Sequence, residues 1–106
     1  ARAWSREVAA KTQSASGIDI PYERIAKAEE TPEEWLMYSG DLKAHRHSRL
    51  SQINRSNVAD LRVAWVSQLR PAAKPLAATP IVAGGVMFVS EAPDGVVAID
   101  ARNGKI

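Results

Sequence analysis

The chain has 106 residues, with 14 Lys and Arg against 12 Asp and Glu, and its formal charge of +2 is too small to argue for a nucleic-acid or membrane-surface partner. It contains no cysteine, which excludes disulfides, thiolate metal sites and a thiol nucleophile from this stretch and leaves the redox compartment unread. No run approaches the roughly 18 to 20 apolar residues of a membrane span, and the opening ARAWSREVAAKTQ lacks the apolar centre of an export signal, so any such signal is expected upstream or already removed.

Residues 1–18 are polar and without sustained periodicity, and are expected to be an arm or linker with Trp4 as its one anchor. Residues 19–60 follow as a helical and loop lead-in. Asp19 is placed to cap a helix with Pro21 in its first turn. Tyr22, Ile25, Ala26 and Ala28 then mark one face, and Glu23, Arg24, Lys27 and Glu30 the other. Thr31-Pro32-Glu33-Glu34 has the form of a capping box, from which one helical turn is expected to deliver Trp35 and Leu36 inward.

Tyr38-Ser39-Gly40-Asp41 is a turn signal, and a basic segment from Lys43 to Arg49 comes next. His45 and His47 alternate as two ligands on a strand would. With no carboxylate or thiolate pattern evident beside them they are read as surface or interface residues, a metal or catalytic pair being the minor alternative. Lys43, Arg46 and Arg49 form either an anion patch or a solvated loop, and the absence of interleaved aromatics speaks against nucleic acid. Ser56 is expected to cap a short turn through Val58 and Leu61.

Residues 61–106 carry the strands. Leu61, Val63, Trp65, Ser67 and Leu69 alternate with Arg62, Ala64, Val66 and Gln68, as a strand requires, and Pro71 and Pro75 end it before a connection through Ala77. Thr79 to Ala83, Val86 to Ser90 and Val96 to Asp100 are three short apolar runs. They are separated by Gly84-Gly85 and Pro93-Asp94-Gly95 and followed by Asn103-Gly104, which are turn dipeptides and tripeptides. Val86, Met87, Phe88 and Val89 point to both sides of any sheet they join, so both faces need cover. Short antiparallel strands with two covered faces suit a stack of similar sheets, as in a propeller. The pattern opened by Ala98 is cut at Ile106, and the chain is therefore expected to be an N-terminal fragment.

Three stretches resemble the N-terminal portion of the pyrroloquinoline quinone (PQQ)-dependent dehydrogenases, the quinoprotein alcohol dehydrogenase family. The first is Trp35-Leu36-Met37-Tyr38-Ser39-Gly40-Asp41 with Arg46, Ser48 and Leu50. The second is Ile53-Asn54 with Asn57-Val58, Leu61 and Ala64-Trp65. The third is Thr79-Pro80-Ile81-Val82 with Gly85-Val86-Met87-Phe88-Val89, leading to Ala98-Ile99-Asp100-Ala101, Gly104 and Lys105, which resembles the tryptophan-docking motif of these propellers. Asn103 departs from the motif's usual Thr, and the motif's closing Trp falls beyond Ile106. Trp65 is left with two readings, an indole docked for a neighbouring blade or a plain core residue.

The resemblance implies an all-β fold, an eight-bladed β-propeller of which this chain supplies about one blade plus a closing strand, preceded by a short helical arm. It further implies a periplasmic enzyme that oxidises alcohols or related hydroxyl substrates by hydride transfer to PQQ, beside a Ca²⁺ or lanthanide ion, with an electron acceptor such as a c-type cytochrome. The residues that carry this chemistry lie later in the family's chain. The one cofactor contact expected here is a Glu two residues before the Thr-Pro pair, and this sequence has Ala77 there. A methyl group neither accepts a hydrogen bond nor carries charge. Asp41, Asp94 and Asp100 are given structural roles, so no catalytic, cofactor-binding or metal-binding residue is assigned, and the fragment alone is not expected to catalyse. The alternative is a non-enzymatic PQQ-like repeat propeller serving as an interaction scaffold, similar to the outer-membrane-protein assembly lipoproteins.

Overall fold

The computed structural model describes residues 17–71 and 77–106. Residues 1–16 of the arm expected over 1–18, with Trp4, and residues 72–76 of the connection lie outside the described residues.

Three antiparallel strands form one sheet in the order β1-β2-β3: β1 Ile81–Ala83, β2 Val86–Glu91 and β3 Gly95–Asp100. The three expected runs differ from these only at their ends. Gly84 and Gly85 make the first hairpin a two-residue turn with φ of +56° and +79°, a backbone that only glycine adopts without steric cost at both central positions.

Because side chains alternate along a strand, the register sorts them into two faces. Val82 pairs with Met87 and Met87 with Ile99, and the same face continues through Val89 with Val97 and Glu91 with Gly95. The opposite face carries Ile81, Phe88 and Ala98, then Ala83, Val86 and Asp100. Ile99 is buried on the first face, and Ala83 and Val86 on the second. Both faces therefore contribute to the core, as the unbroken apolar run of β2 requires. Leu36 and Ala101 complete the buried apolar set. Leu36 follows Trp35, whose backbone exchanges two hydrogen bonds of 2.9 Å with Val82 on the free edge of β1.

The segments before the sheet depart from expectation in several places. Helix α1, Tyr22–Ala26, has Pro21 rather than Asp19 at its N-cap, and Tyr22 and Ala26 are exposed, so no apolar stripe is buried. Five residues are too few for an amphipathic face to hold a helix. It is tied down instead by Arg24, which donates to the Asp19 carbonyl at 2.5 Å and to the Glu34 carboxylate. A 3₁₀ turn, Ala28–Glu30, follows.

The capping box is the second departure. Thr31 to Glu34 form a turn closed by the Glu34 N–H donating to the Thr31 carbonyl at 3.0 Å, and no helix begins there. The Thr31 hydroxyl is buried without a hydrogen-bond partner. Glu34 turns away because a guanidinium and a hairpin amide offer its carboxylate more than a single cap amide does. Trp35 and Leu36 still turn inward, on an extended segment.

The third departure is the strand expected over 61–69. No described residue offers this segment a ladder of backbone bonds, and a strand exists only where a neighbour does so. Its alternation survives in part: Trp65, Ser67 and Leu69 are half-buried between exposed Ala64, Val66 and Gln68, whereas Leu61 and Val63 are exposed. Val63 and Val66, at 82% and 84% exposure, are apolar side chains that these residues leave uncovered. Just before the segment, Val58–Asp60 is a 3₁₀ turn with Asn57, not Ser56, at its N-cap position and no side-chain cap bond. The Ser56 hydroxyl donates to the Asn54 carboxamide instead.

Candidate functional site

The third turn, after β3, is where distant parts of the chain meet. Gly104 stands at φ +74°, and its N–H donates to the Asp100 carbonyl at 2.8 Å. Trp65 lies against it. Its Nε1–H donates to the Ala101 carbonyl at 3.0 Å, and a methyl group on Gly104 would sit 2.6 Å from the ring atom Cε3. Only a residue without a side chain allows that approach. Ser67, two residues on and on the same side of the segment, donates its hydroxyl to the Gly104 carbonyl. The indole is half-buried and seated on the turn from Ala98 to Lys105.

Glu91 holds the same segment further along. Its carboxylate, 7% exposed, accepts the Arg70 N–H at 2.7 Å and lies 3.4 Å from the Arg70 side chain. Sequence reasoning missed this residue. The signal was a charge in the inward parity of β2, two residues after Val89 and four after Met87, where an apolar side chain would ordinarily stand.

Asp100 is bound by its own turn. Its Oδ1 accepts the Arg102 N–H at 2.9 Å and Nε–H at 3.0 Å, and its Oδ2 accepts Arg102 Nη2 at 2.6 Å and the Asn103 amide at 3.2 Å. The Arg102 side-chain bonds above all hold its carboxyl down from 3.8 to about 2. The folded value lies below the ordinary one, so the stabilisation is complete above pH 3.8 and is lost as pH falls through about 2. Urea midpoints measured across that window should fall with acidification in the natural protein and fall less steeply in Asp100→Asn.

The two histidines line a cleft of about 370 Å³ together with Glu29, Glu34, Asp41 and Arg49. A carboxylate does stand beside His45, contrary to expectation. Asp41 Oδ2 is 2.7 Å from His45 Nδ1, and Asp41 Oδ1 accepts the His45 backbone N–H at 3.1 Å. The chain turns back tightly around His45, with its neighbours Ala44 and Arg46 in the left-handed region at φ +57° and +53°. That return brings residue 45 over residue 41, which spacing alone did not reveal. The backbone bond from His45 leads in drawing the Asp41 carboxyl below its usual range. Lys43, Arg46 and Arg49 do not converge on an anion site: Arg46 lies over the Tyr38 ring at 5.3 Å, and Arg49 pairs with Glu29 at 2.6 Å.

Among the described residues no group of three or more His, Asp or Glu side chains is placed to hold a metal ion. Asp94 is exposed in the β2–β3 turn. Ala77 is exposed on the irregular segment before β1 and presents only a methyl group.

Residues 35–106 match the PQQ family model, described as the glucose/ethanol/alcohol dehydrogenase, beta-propeller domain. The quinohemoprotein alcohol dehydrogenase of Comamonas testosteroni is 43% identical over 79 residues, 74% of this chain and 11% of that protein. The 1-butanol dehydrogenase (quinone) of Thauera butanivorans is 37% identical over 93 residues, 87% of this chain and 15% of that protein. Among solved structures, quinohemoprotein alcohol dehydrogenase ADHIIG from Pseudomonas putida HK5 superposes with a TM-score of 0.76 at 34% identity, covering 82% of this chain and 13% of that one. The chain thus spans only a small part of the length of the proteins it resembles.

Proposed function

Because this chain belongs to the glucose/ethanol/alcohol dehydrogenase β-propeller family, we propose that it forms about one blade of an eight-bladed propeller that oxidises alcohols or related hydroxyl substrates by hydride transfer to PQQ. In this reading residues 1–18 are a linker, 19–60 a lead-in and 61–106 the closing segment and first blade. The observation that carries it is the docked turn: Trp65 on Gly104, held by the Ala101 carbonyl and by Ser67. That arrangement ties a segment arriving from outside the sheet to the sheet's last turn, which is what joining one blade to the next requires. A haem protein such as a c-type cytochrome is the electron acceptor that the quinohemoprotein relatives suggest, and the periplasm is the compartment proposed.

The residues present do not fit the cofactor or its ion. Ala77 offers PQQ no polar contact, and the described residues gather no ion ligands. No step of the oxidation is therefore assigned to a residue of this chain, whose part is to build and close the propeller wall. The intact protein, supplied with PQQ and Ca²⁺, is expected to reduce an artificial electron-acceptor dye when given a primary alcohol. No reduction at any cofactor concentration would overturn the enzyme reading in favour of the scaffold, which the methyl group at Ala77 suits.

A further inference from the structure

We propose that the Asn103–Gly104 bond is a latent site of spontaneous amide loss and backbone isomerisation, kept dormant by the docking of Trp65. The chemistry needs no partner but water. The Gly104 backbone nitrogen loses its proton and attacks the Asn103 side-chain carbonyl carbon. A C–N bond forms, the bond to the side-chain nitrogen breaks and ammonia leaves, giving a cyclic imide. Water then opens the imide at either carbonyl, leaving aspartate or isoaspartate, and no electrons are exchanged. Asparagine is among the residues prone to such damage. Glycine is the follower that least hinders the attack, because it has no side chain over the nitrogen. The chain holds a built-in comparison, since Asn54 and Asn57 are followed by Arg55 and Val58.

The folded turn withholds every participant. The attacking nitrogen's proton is given to the Asp100 carbonyl at 2.8 Å. The leaving amide donates to Asp100 Oδ2 at 3.2 Å, while the carbonyl oxygen of the same side chain accepts the Lys105 N–H at 2.9 Å. Closing the ring requires those three bonds to break together. The Trp65 ring on Gly104 and the Ser67 hydroxyl on its carbonyl hold the turn against such opening. The consequences of conversion also follow from the geometry. Aspartate at 103 sets a second carboxylate against Asp100. Isoaspartate lengthens the backbone inside the loop closed by the Asp100 N–H and the Lys105 carbonyl at 2.8 Å, so the turn no longer closes and Trp65 loses its seat. Damage at this bond thus prevents redocking once docking has failed.

The test is peptide mapping of the intact protein by mass spectrometry, with isoaspartate detected by enzymatic methyl labelling, during incubation at neutral pH in buffer and in urea. Conversion at Asn103 is expected to be at least about tenfold faster in urea than in buffer, because local opening limits it in the folded state. In urea it should far outpace conversion at Asn54 and Asn57. In buffer, Trp65→Ala and the milder Ser67→Ala should both speed it, and Asn103→Thr should abolish it. Equal rates in buffer and urea, no preference for Asn103 over Asn57 in urea, or an unchanged rate in a folded Ser67→Ala protein would each overturn the proposal.

Discussion

Gly104→Ala in the intact protein is expected to destabilise it by about 2–4 kcal/mol, far more than the loss of one hydrogen atom suggests. Two effects add. At φ +74° an L side chain costs roughly 1–2 kcal/mol of backbone strain. The new methyl would also sit 2.6 Å from Trp65 Cε3 and 2.8 Å from Cδ2, inside contact distance of a rigid ring. The indole must then move off, and its 3.0 Å bond to the Ala101 carbonyl goes with it, at about 1 kcal/mol. Urea unfolding provides the measurement. Gly17→Ala is the control, because nothing lies within 4 Å of a methyl there; it should stay within about 0.5 kcal/mol of the natural protein. Adding Trp65→Ala relieves the clash, so the double variant should lose less than the sum of the two singles. Strict additivity would mean that the ring and the glycine do not constrain each other.

Glu34→Ala is the second large effect. One buried carboxylate, 8% exposed, holds the Arg24 guanidinium at 2.5 Å and accepts the Gly84 N–H at 2.8 Å. Its removal leaves a cation without its partner and a hairpin amide without an acceptor; breaking a fully buried pair from one side costs about 3–5 kcal/mol, and the cost here is less because Arg24 is 30% exposed. Glu34→Gln keeps an acceptor for Gly84 but no charge for Arg24, and is expected to fall between the natural protein and the alanine variant. Amide hydrogen exchange separates this account from a general loss of stability. The Gly84 amide should lose more protection than amides in β3, and equal losses along the sheet would remove Glu34 from this role.

Both effects rest on links between residues far apart in the chain, and this divides what was legible from what was not. The three strands were plain from the chain itself, because their turns depend on residues whose backbone freedom is intrinsic. Gly84 and Gly85 adopt positive φ in any context that lets a hairpin form, and Gly104 does the same after β3. The propeller fold was legible through the resemblance of three ordered stretches, Trp35 to Leu50, Ile53 to Trp65 and Thr79 to Lys105, to the quinoprotein family, and the family match over residues 35–106 bears it out.

Elements whose stability comes from elsewhere were misread. Helix α1 has an amphipathic pattern but only five residues, and Arg24 decides its place. Thr31 to Glu34 spell a capping box, yet Arg24 and Gly84 compete for the carboxylate that the box needs and win it by charge and by geometry. The alternation from Leu61 to Leu69 was real, but a strand needs a neighbour to bond with, and the docked half of the segment is held by side chains instead. Glu91 shows the same limit from the other direction, since a charged residue at a strand end looks solvated until Arg70 arrives 21 residues away in sequence.

By itself, then, the sequence determined the hairpins, the two-faced sheet and the family, since each depends on local backbone preference or on motif spacing. Only the tertiary structure decided which carboxylates are buried and what Trp65 touches. A buried charge is tolerable only where a partner meets it, and partners brought together by folding leave no periodic mark on the chain.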